Sequence, residues 1–246
     1  MYRNILVVSD NLFLINVFHS LVAGVNGIDV SYTCSKSNTA LLENKLLEVK
    51  IKPIALKEEC AKVIQKYDLV FSLHCKQLFT DELVQKVKCI NLHPGLNPYN
   101  RGWFPQVFSI LNGMKAGATI HEIDEQLDHG AIIAQEEVTI EKWDTSLTAY
   151  NKIQEAEIEL LKQNLSAILA GNYTSKFADE EGNVNLKKDF NTLCAIDLEK
   201  QVTMNEAIDY LRAMTHGNYK NAYFFDKKTG KKVFVSIDLK TEPETN

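Results

Sequence analysis

The apolar positions alternate between two periods along the first two thirds of the chain. Ile5 to Val8 is an unbroken apolar run, the pattern of a strand covered on both faces. Leu12, Ile15, Val17, Phe18 and Val22, within Asn11 to Ala23, follow the spacing of a helix returning along that strand, with Asp10 or Asn11 as its cap. Ile28 to Tyr32 predicts a second strand, Glu58 to Lys66 a helix, and Leu-Val-Phe-Ser-Leu at 69–73 another buried strand. Thr80-Asp81-Glu82 opens a short helix before a strand at Lys88 to Leu92. Further on, the pattern predicts a helix over Phe104 to Leu111, strands over Ala118 to Glu122 and Ile132 to Ile140, and a long amphipathic helix over Leu147 to Leu169 that Gly171 ends.

Strands alternating with helices at this spacing predict an α/β fold, a Rossmann-like core with a mostly parallel sheet covered on both faces. The polar stretch Asn172 to Asp189, with an exposed loop at 179–183, marks a boundary. Beyond it come a helix over Met204 to Met214 and a hairpin in which Ala222 to Phe225 and Lys232 to Leu239 flank a turn at 226–230. Two units are therefore expected, a catalytic domain over residues 1–185 and a small helix-and-hairpin subdomain over 186–246.

Composition narrows the classes of function. At 246 residues and 45% hydrophobic, the chain buries a core without disulfide or metal. A formal charge of -5 argues against nucleic acid as partner. Cys34, Cys60, Cys75, Cys89 and Cys194 form no Cys-x-x-Cys pair, which suits a reducing cytoplasm. The run at 5–8 is too brief for a signal peptide, and no apolar stretch reaches membrane-spanning length, so a protein that neither is exported nor enters a membrane is expected.

The candidate chemistry gathers at strand ends, where open parallel sheets bind ligands. Asn91 and His93 project from one side of the Lys88 to Leu92 strand, and Pro94-Gly95 stops that strand at a rim. Neutral imidazole accepts a proton near neutral pH, and an amide donates to a developing oxyanion; a hydrogen-bonding histidine at a strand end is the structural alternative. Asp128 lies in Asp-x-x-x-Asp-x-Gly with Asp124, either a catalytic carboxylate or part of a turn rich in Asx hydrogen bonds. The spacing of His121 and His129 relative to these aspartates matches no common metal site, and no metal is expected. His74 and Lys76 follow the 69–73 strand, where Lys76 would set a cation against phosphate. Arg101, in the Gly- and Pro-punctuated loop 97–103, suits bidentate phosphate recognition. Tyr219, Tyr223 and Phe224 are either hairpin packing or a stacking surface for a nucleobase. Val8-Ser9-Asp10-Asn11 stands where a dinucleotide-binding protein has its glycine fingerprint, which disfavours that class.

Beyond these readings, the chain resembles the folate-dependent formyltransferases through Asn91, His93 and Asp128, and is more similar still to the sugar-nucleotide N-formyltransferases. The residues that carry the likeness are Ser72 to Phe79, Asn91 to Phe108, Gly117 to Glu122, Leu127 to Gly130 and the tail segment Leu211 to Phe224. Where tRNA formyltransferases have a Ser-Leu-Leu-Pro type sequence after the histidine, this chain has Pro-Gly-Leu-Asn-Pro, and its C-terminal part is too short and too little basic for a tRNA-binding barrel. The resemblance implies formyl transfer from 10-formyltetrahydrofolate to the amine of a dTDP-linked amino-dideoxyhexose, with 4-amino-4,6-dideoxyglucose preferred to a 3-amino sugar, for surface polysaccharide such as O-antigen. It implies Asn91 and His93 lining the oxyanion, His93 as proton acceptor, and Asp128 orienting it. It puts the pterin between Gln77, Leu78, Phe79, Thr80 and the loop of Ile123 and Asp124. It puts the dTDP-sugar near His74, Lys76, Asn100, Arg101, Gly102 and Trp103, with thymine by Tyr219, Tyr223 and Phe224. A homodimer is implied as well. The alternatives are a formyltetrahydrofolate hydrolase and a non-catalytic nucleotide-sugar binding protein.

Overall fold

Ile5 and Val7 pack into one apolar cluster and Leu6 and Val8 into another, so successive residues of the first strand are buried on opposite faces of one sheet. That explains why this strand reads as a continuous apolar run. The computed structural model describes residues 1–43 and 49–242.

The elements follow in order. β1 (Asn4–Ser9) leads to α1 (Leu12–Val22), β2 (Asp29–Ser35), the short α2 (Thr39–Leu42), β3 (Ile51–Ile54), α3 (Leu56–Lys66), β4 (Leu69–Leu73), α4 (Asp81–Lys86) and β5 (Lys88–His93). Then come β6 (Arg101–Gly102), α5 (Pro105–Asn112), β7 (Ala116–Glu122), β8 (Ile132–Val138) and α6 (Ser146–Ala170). The remainder is β9 (Val184–Asn185), α7 (Lys187–Leu193), α8 (Met204–Met214), the two-residue strands β10 (Thr215–His216) and β11 (Tyr219–Lys220), and a hairpin of β12 (Ala222–Phe225) and β13 (Lys232–Val235).

Seven strands form one sheet in the order β3-β2-β1-β4-β5-β7-β8. The first five are parallel, and β7 and β8 extend the sheet antiparallel. One face is covered by α1 and α6: Leu14, Ile15 and Phe18 meet Leu160, Leu161 and Leu165 over Phe71, Ile90 and Leu92. Phe18 and Phe71 pack with ring centroids 5.2 Å apart, and truncating either to alanine costs about 3–5 kcal/mol. The other face is covered by α3 and α4 through Leu56, Cys60, Val63 and Leu83. Strand order reverses between β1 and β4, the switch point at which such sheets open a crevice.

Helix ends are set by local chemistry. The Asn11 side chain accepts from Leu14 N to cap α1, Thr145 and Thr148 form a capping box on α6, and Gly171 ends α6 at φ 69. Several features were not foreseen, α2 and the β10–β11 pair among them. β3 carries Pro53 and survives because it is the sheet edge. The polar stretch 172–189 is stitched to the body through a bridge between Ile132 and Lys176 and through β9, which pairs with β6. α7 begins inside its last three residues, at Lys187. The second hairpin strand stops at Val235 instead of Leu239. A third apolar cluster joins Val107 and Ile110 of α5 to Phe190 of α7, Met214 of α8 and Ala222 of β12, so the C-terminal elements pack directly on α5.

Candidate active site

β5 carries Asn91 and His93 to one face of the sheet, because they are two residues apart. β7 pairs antiparallel with β5 in the register Asn91 to His121 and His93 to Thr119, which sets His121 beside the pair. Gly95 follows at the rim. A Cβ there would lie 2.5 Å from His93 Nε2, so glycine leaves room for the imidazole.

Asp128 arrives on the turn between β7 and β8 with φ 47, a left-handed conformation that aspartate tolerates. Its Oδ1 accepts from Asn91 Nδ2 at 3.0 Å, and its Oδ2 accepts from the Gly102 N–H at 3.1 Å. Oδ2 also lies 3.5 Å from His93 Nδ1. Asn97 Nδ2 holds the Asp128 carbonyl at 2.8 Å. One carboxylate thus bridges the amide and the imidazole that strand spacing singled out.

Burial pushes the His93 imidazole down to about 4, against the upward pull of Asp128, so the ring is neutral at neutral pH. Burial by itself would raise the Asp128 carboxyl; the rings of His93 and His121 and the Gly102 N–H outweigh it and hold the group at about 2. Ionised Asp128 can only accept, so Nδ1 of His93 carries the proton and Nε2 presents its lone pair. His93 Nε2 is buried and makes no hydrogen bond within the protein.

His121 was not foreseen in this role. Its Nδ1 donates to the Glu122 carbonyl at 2.7 Å, which leaves Nε2 to accept from Asn91 Nδ2 at 3.2 Å. Both hydrogens of the Asn91 amide are therefore engaged, one by Asp128 and one by His121, and an oxyanion must displace one of these contacts to be met by Asn91. The signal in the sequence was the alternation within Ala118 to Glu122, which puts His121 on the face opposite Ile120.

A second polar group stands where β1 and β4 end. His74 follows Leu73, which is paired with Leu92, so it sits beside His93 at the adjoining strand end. Its φ of 54 turns the side chain toward α6. There Nε2 meets Glu157 Oε1 at 2.6 Å, while Nδ1 faces Tyr150 Oη at 3.3 Å and Asn11 Nδ2 at 3.4 Å. Burial raises the Glu157 carboxyl, and His74 pulls it back. Ring contacts run from His74 through Tyr150 and His216 to Tyr219, which is 72% exposed. The structure thus links two sequence-predicted residues, His74 and Tyr219, through two that sequence reasoning missed.

The remaining candidates divide by what their side chains already do. Lys76 is exposed, and its backbone N–H binds Asp10 Oδ2. Asn100 is fully buried and spends its amide on Ser109, Asn112, Asn183 and Asn185. Arg101 is buried and paired with Glu181 at 2.7 Å. Asn100 does not reach a phosphate without giving up these partners, whereas Arg101 gives only Nη2 to Glu181 and keeps a buried Nε without a partner among the described residues. Gly102 touches the site only through its N–H, and Trp103 packs on Phe104 beneath the Lys187 ammonium. Tyr223 is covered by Lys232, 3.5 Å from its ring centroid, and Phe224 is half-buried beside it on β12. On the other flank, Gln77 binds Leu56 N and the Ile54 carbonyl, Thr80 caps α4, and Phe79 and Ile123 pack against the second cluster. Asp124 pairs with His129 at 2.7 Å. Leu78 alone of this set presents a large apolar side chain to solvent, at 78% exposure. A cavity of about 250 Å³ adjoins Asp128 and is lined by Asn97, Arg101, His129, Phe177 and Glu181.

Comparison with known proteins accords with this geometry. Residues 15–165 match the model of the Formyl transferase family, and residues 189–241 match the N-formyltransferase dimerization C-terminal domain. Over 187 residues, 76% of this chain and 79% of the relative, the chain is 52% identical to a dTDP-4-amino-4,6-dideoxyglucose formyltransferase of Mycobacterium bovis. The crystal structure of a 4-N formyltransferase from Francisella tularensis superposes with a TM-score of 0.93 at 48% identity, over 98% of this chain and 99% of that one. A sugar N-formyltransferase from a Shewanella species superposes with a TM-score of 0.90 at 41% identity, over 98% and 99%. With a strand-end asparagine and histidine bridged by a turn aspartate, and with the family's sequence pattern covering most of its length, the chain belongs to the formyl transferase family.

Proposed function

We propose that the protein transfers the formyl group of 10-formyltetrahydrofolate to the C-4 amine of dTDP-4-amino-4,6-dideoxyglucose. The observation that carries this reading is the bridging Asp128 carboxylate, 3.0 Å from the Asn91 amide and 3.5 Å from the His93 ring, with a buried, unbonded Nε2 on that ring. Similarity to the mycobacterial relative, whose name specifies a 4-amino sugar, favours C-4 over C-3.

The residues present fit a folate. Leu78 offers an exposed apolar edge on the segment of Gln77, Leu78, Phe79 and Thr80, and the facing loop of Ile123 and Asp124 is tied to α4 by Gln85 and Glu125 at 3.1 Å. Backbone groups of these two segments would hold the pterin. When bound, 10-formyltetrahydrofolate supplies an activated formyl carbonyl. His93 takes the proton of the attacking amine at Nε2, and Asp128 stabilises the imidazolium so formed. Asn91, once its amide gives up the contact with His121, meets the developing oxyanion beside His93, and His93 with Asp128 returns the proton to the departing nitrogen. His74, Lys76 and Tyr219 form the side on which the dTDP-sugar would lie, with Lys76 free to meet the pyrophosphate.

In this reading residues 1–185 are the catalytic unit and 186–246 a subdomain that makes a homodimer. Exposed Val202, Met204, Ile208, Phe225, Val233 and Phe234 supply the apolar surface for it. The product would serve surface polysaccharide such as O-antigen, made in the cytoplasm; no helix among the described residues is long and apolar enough to cross a membrane. The test is formation of a formamido sugar nucleotide from the two substrates.

A further inference from the structure

Residues 180–185 lie between the two stretches that carry the family likeness, and they are bound along their length to the loop that anchors Asp128. Tyr99 donates to Glu180, and Arg101 pairs with Glu181. Asn183 grips the loop four times: its N–H meets the Pro98 carbonyl at 3.3 Å, its carbonyl accepts from Arg101 N at 3.0 Å, its Oδ1 accepts from Asn100 N at 2.8 Å, and its Nδ2 donates to Asn100 Oδ1 at 2.8 Å. The Asn185 carbonyl accepts from Trp103 N at 2.8 Å.

Two glycines make this approach possible. Gly182, at φ +67, packs so closely that a Cβ would come within 2.1 Å of the Pro98 carbonyl oxygen. Gly102, at φ +93, would likewise meet the Asn185 carbonyl oxygen at 2.4 Å. The Gly102 N–H is the group that binds Asp128 Oδ2, and Gly102 is held by the ladder Arg101 to Val184 and Gly102 to Asn185. The chain of contact is short: strap, loop, Gly102, carboxylate.

We propose that the strap Glu180 to Asn185 is a positioning element for formyl transfer, fixing Gly102 so that its N–H aims the Asp128 carboxylate at Asn91 and His93. The inference rests on Asp128 acting in the reaction. The strap makes no hydrogen bond to the Asn91 amide or the His93 ring; it reaches Asp128 through Gly102, and Glu181 also lies 3.7 Å from the ring of the neighbouring His129. Displacing it therefore misaims the carboxylate while leaving the Leu78 and Lys76 flanks as they are.

The experiment compares steady-state kinetics of Gly182→Ala and Asn183→Ala with Gly24→Ala. Gly24 also has positive φ, +86, but a Cβ there meets nothing, and it follows α1 at the end of the sheet away from the site. Each strap variant is also made in an Asp128→Asn background. The strap variants are expected to lose about tenfold to a hundredfold in kcat, the scale of an ångström misplacement, with KM for both substrates within about threefold. In the Asp128→Asn background the same substitutions are expected to cost less than about twofold, because coupled residues are not additive. If Gly182→Ala does not fold, Asn183→Ala decides. A kcat equal to that of Gly24→Ala, or a full additional loss on top of Asp128→Asn, overturns the proposal. Wild-type kcat in Asp128→Asn alone would remove the catalytic assignment beneath it, and the proposal with it.

Discussion

Asn91 Nδ2 donates to Asp128 Oδ1 at 3.0 Å across 37 residues of chain, and the other carboxylate oxygen is shared between the Gly102 N–H and the His93 ring. The carboxylate has no exposed work to do. It is largely covered, ionised, and surrounded by the groups it orders. Asp128→Asn keeps the size of the side chain but presents an amide to an amide at Asn91 and removes the partner of protonated His93. Turnover should fall by about a hundredfold or more, with circular dichroism unchanged and KM for the sugar nucleotide little altered.

His93→Asn should fold and lose most turnover, because polarity is kept and the proton acceptor is gone. Near wild-type kcat in this variant would show that the amine proton leaves by another route.

The same residue sets an acid liability. His93 is depressed from an ordinary 6.5 to about 4 in the folded protein. Between those values the unfolded chain binds the proton and the folded one does not, so stability falls as pH drops from 6.5 toward 4. The contribution is on the order of 3 kcal/mol for this shift. Asp128 acts in the same direction only at lower pH, between 3.8 and about 2. Thermal unfolding of wild type and His93→Asn should therefore differ by a margin that shifts in favour of the variant from pH 7 to pH 4.5. A constant margin would contradict the buried neutral state of His93.

How much of this was legible in the sequence depends on the kind of contact. β1 and β4 announce themselves because burial on both faces demands near-continuous apolar runs, and in β5 a two-residue spacing is enough to put Asn91 and His93 on one side. Asp128 was legible as a motif member. What periodicity does not carry are contacts made by irregular backbone. Asn100 and Arg101 looked available for phosphate because their loop is polar and punctuated by Gly and Pro, yet their partners are Asn183, Asn185 and Glu181, some eighty residues away in a stretch with no period of its own. His121 hid in a strand whose alternate residues are small, and Tyr150, Glu157 and His216 read as one helix face and a turn. Long-range polar pairing leaves no regular imprint on one chain.

Gly95→Ala tests the close approach at the rim. The added Cβ would lie 2.5 Å from His93 Nε2 and 3.2 Å from Pro105 Cβ, so the ring has to turn or the loop has to move. kcat should fall by about tenfold to a hundredfold while Tm changes by a few degrees. An unchanged kcat would show that the imidazole is not held where the structure has it.

Lys76 and Arg101 should separate in their effects. Lys76→Met should raise KM for the dTDP-sugar, with kcat and Tm kept, because its ammonium is exposed and its backbone does the structural work. Arg101→Met should lower Tm by breaking the pair with Glu181 and leave that KM within about twofold. The opposite assignment of KM effects would move the pyrophosphate to the Arg101 side.

The most direct test of the central claim is a product assay on the purified protein. With 10-formyltetrahydrofolate and dTDP-4-amino-4,6-dideoxyglucose, mass spectrometry should show a sugar nucleotide heavier by one formyl group, in step with tetrahydrofolate release. Without the sugar nucleotide there should be no formate. No formamido product with a panel of 4-amino and 3-amino dTDP sugars, or formate release that ignores the sugar, would contradict it.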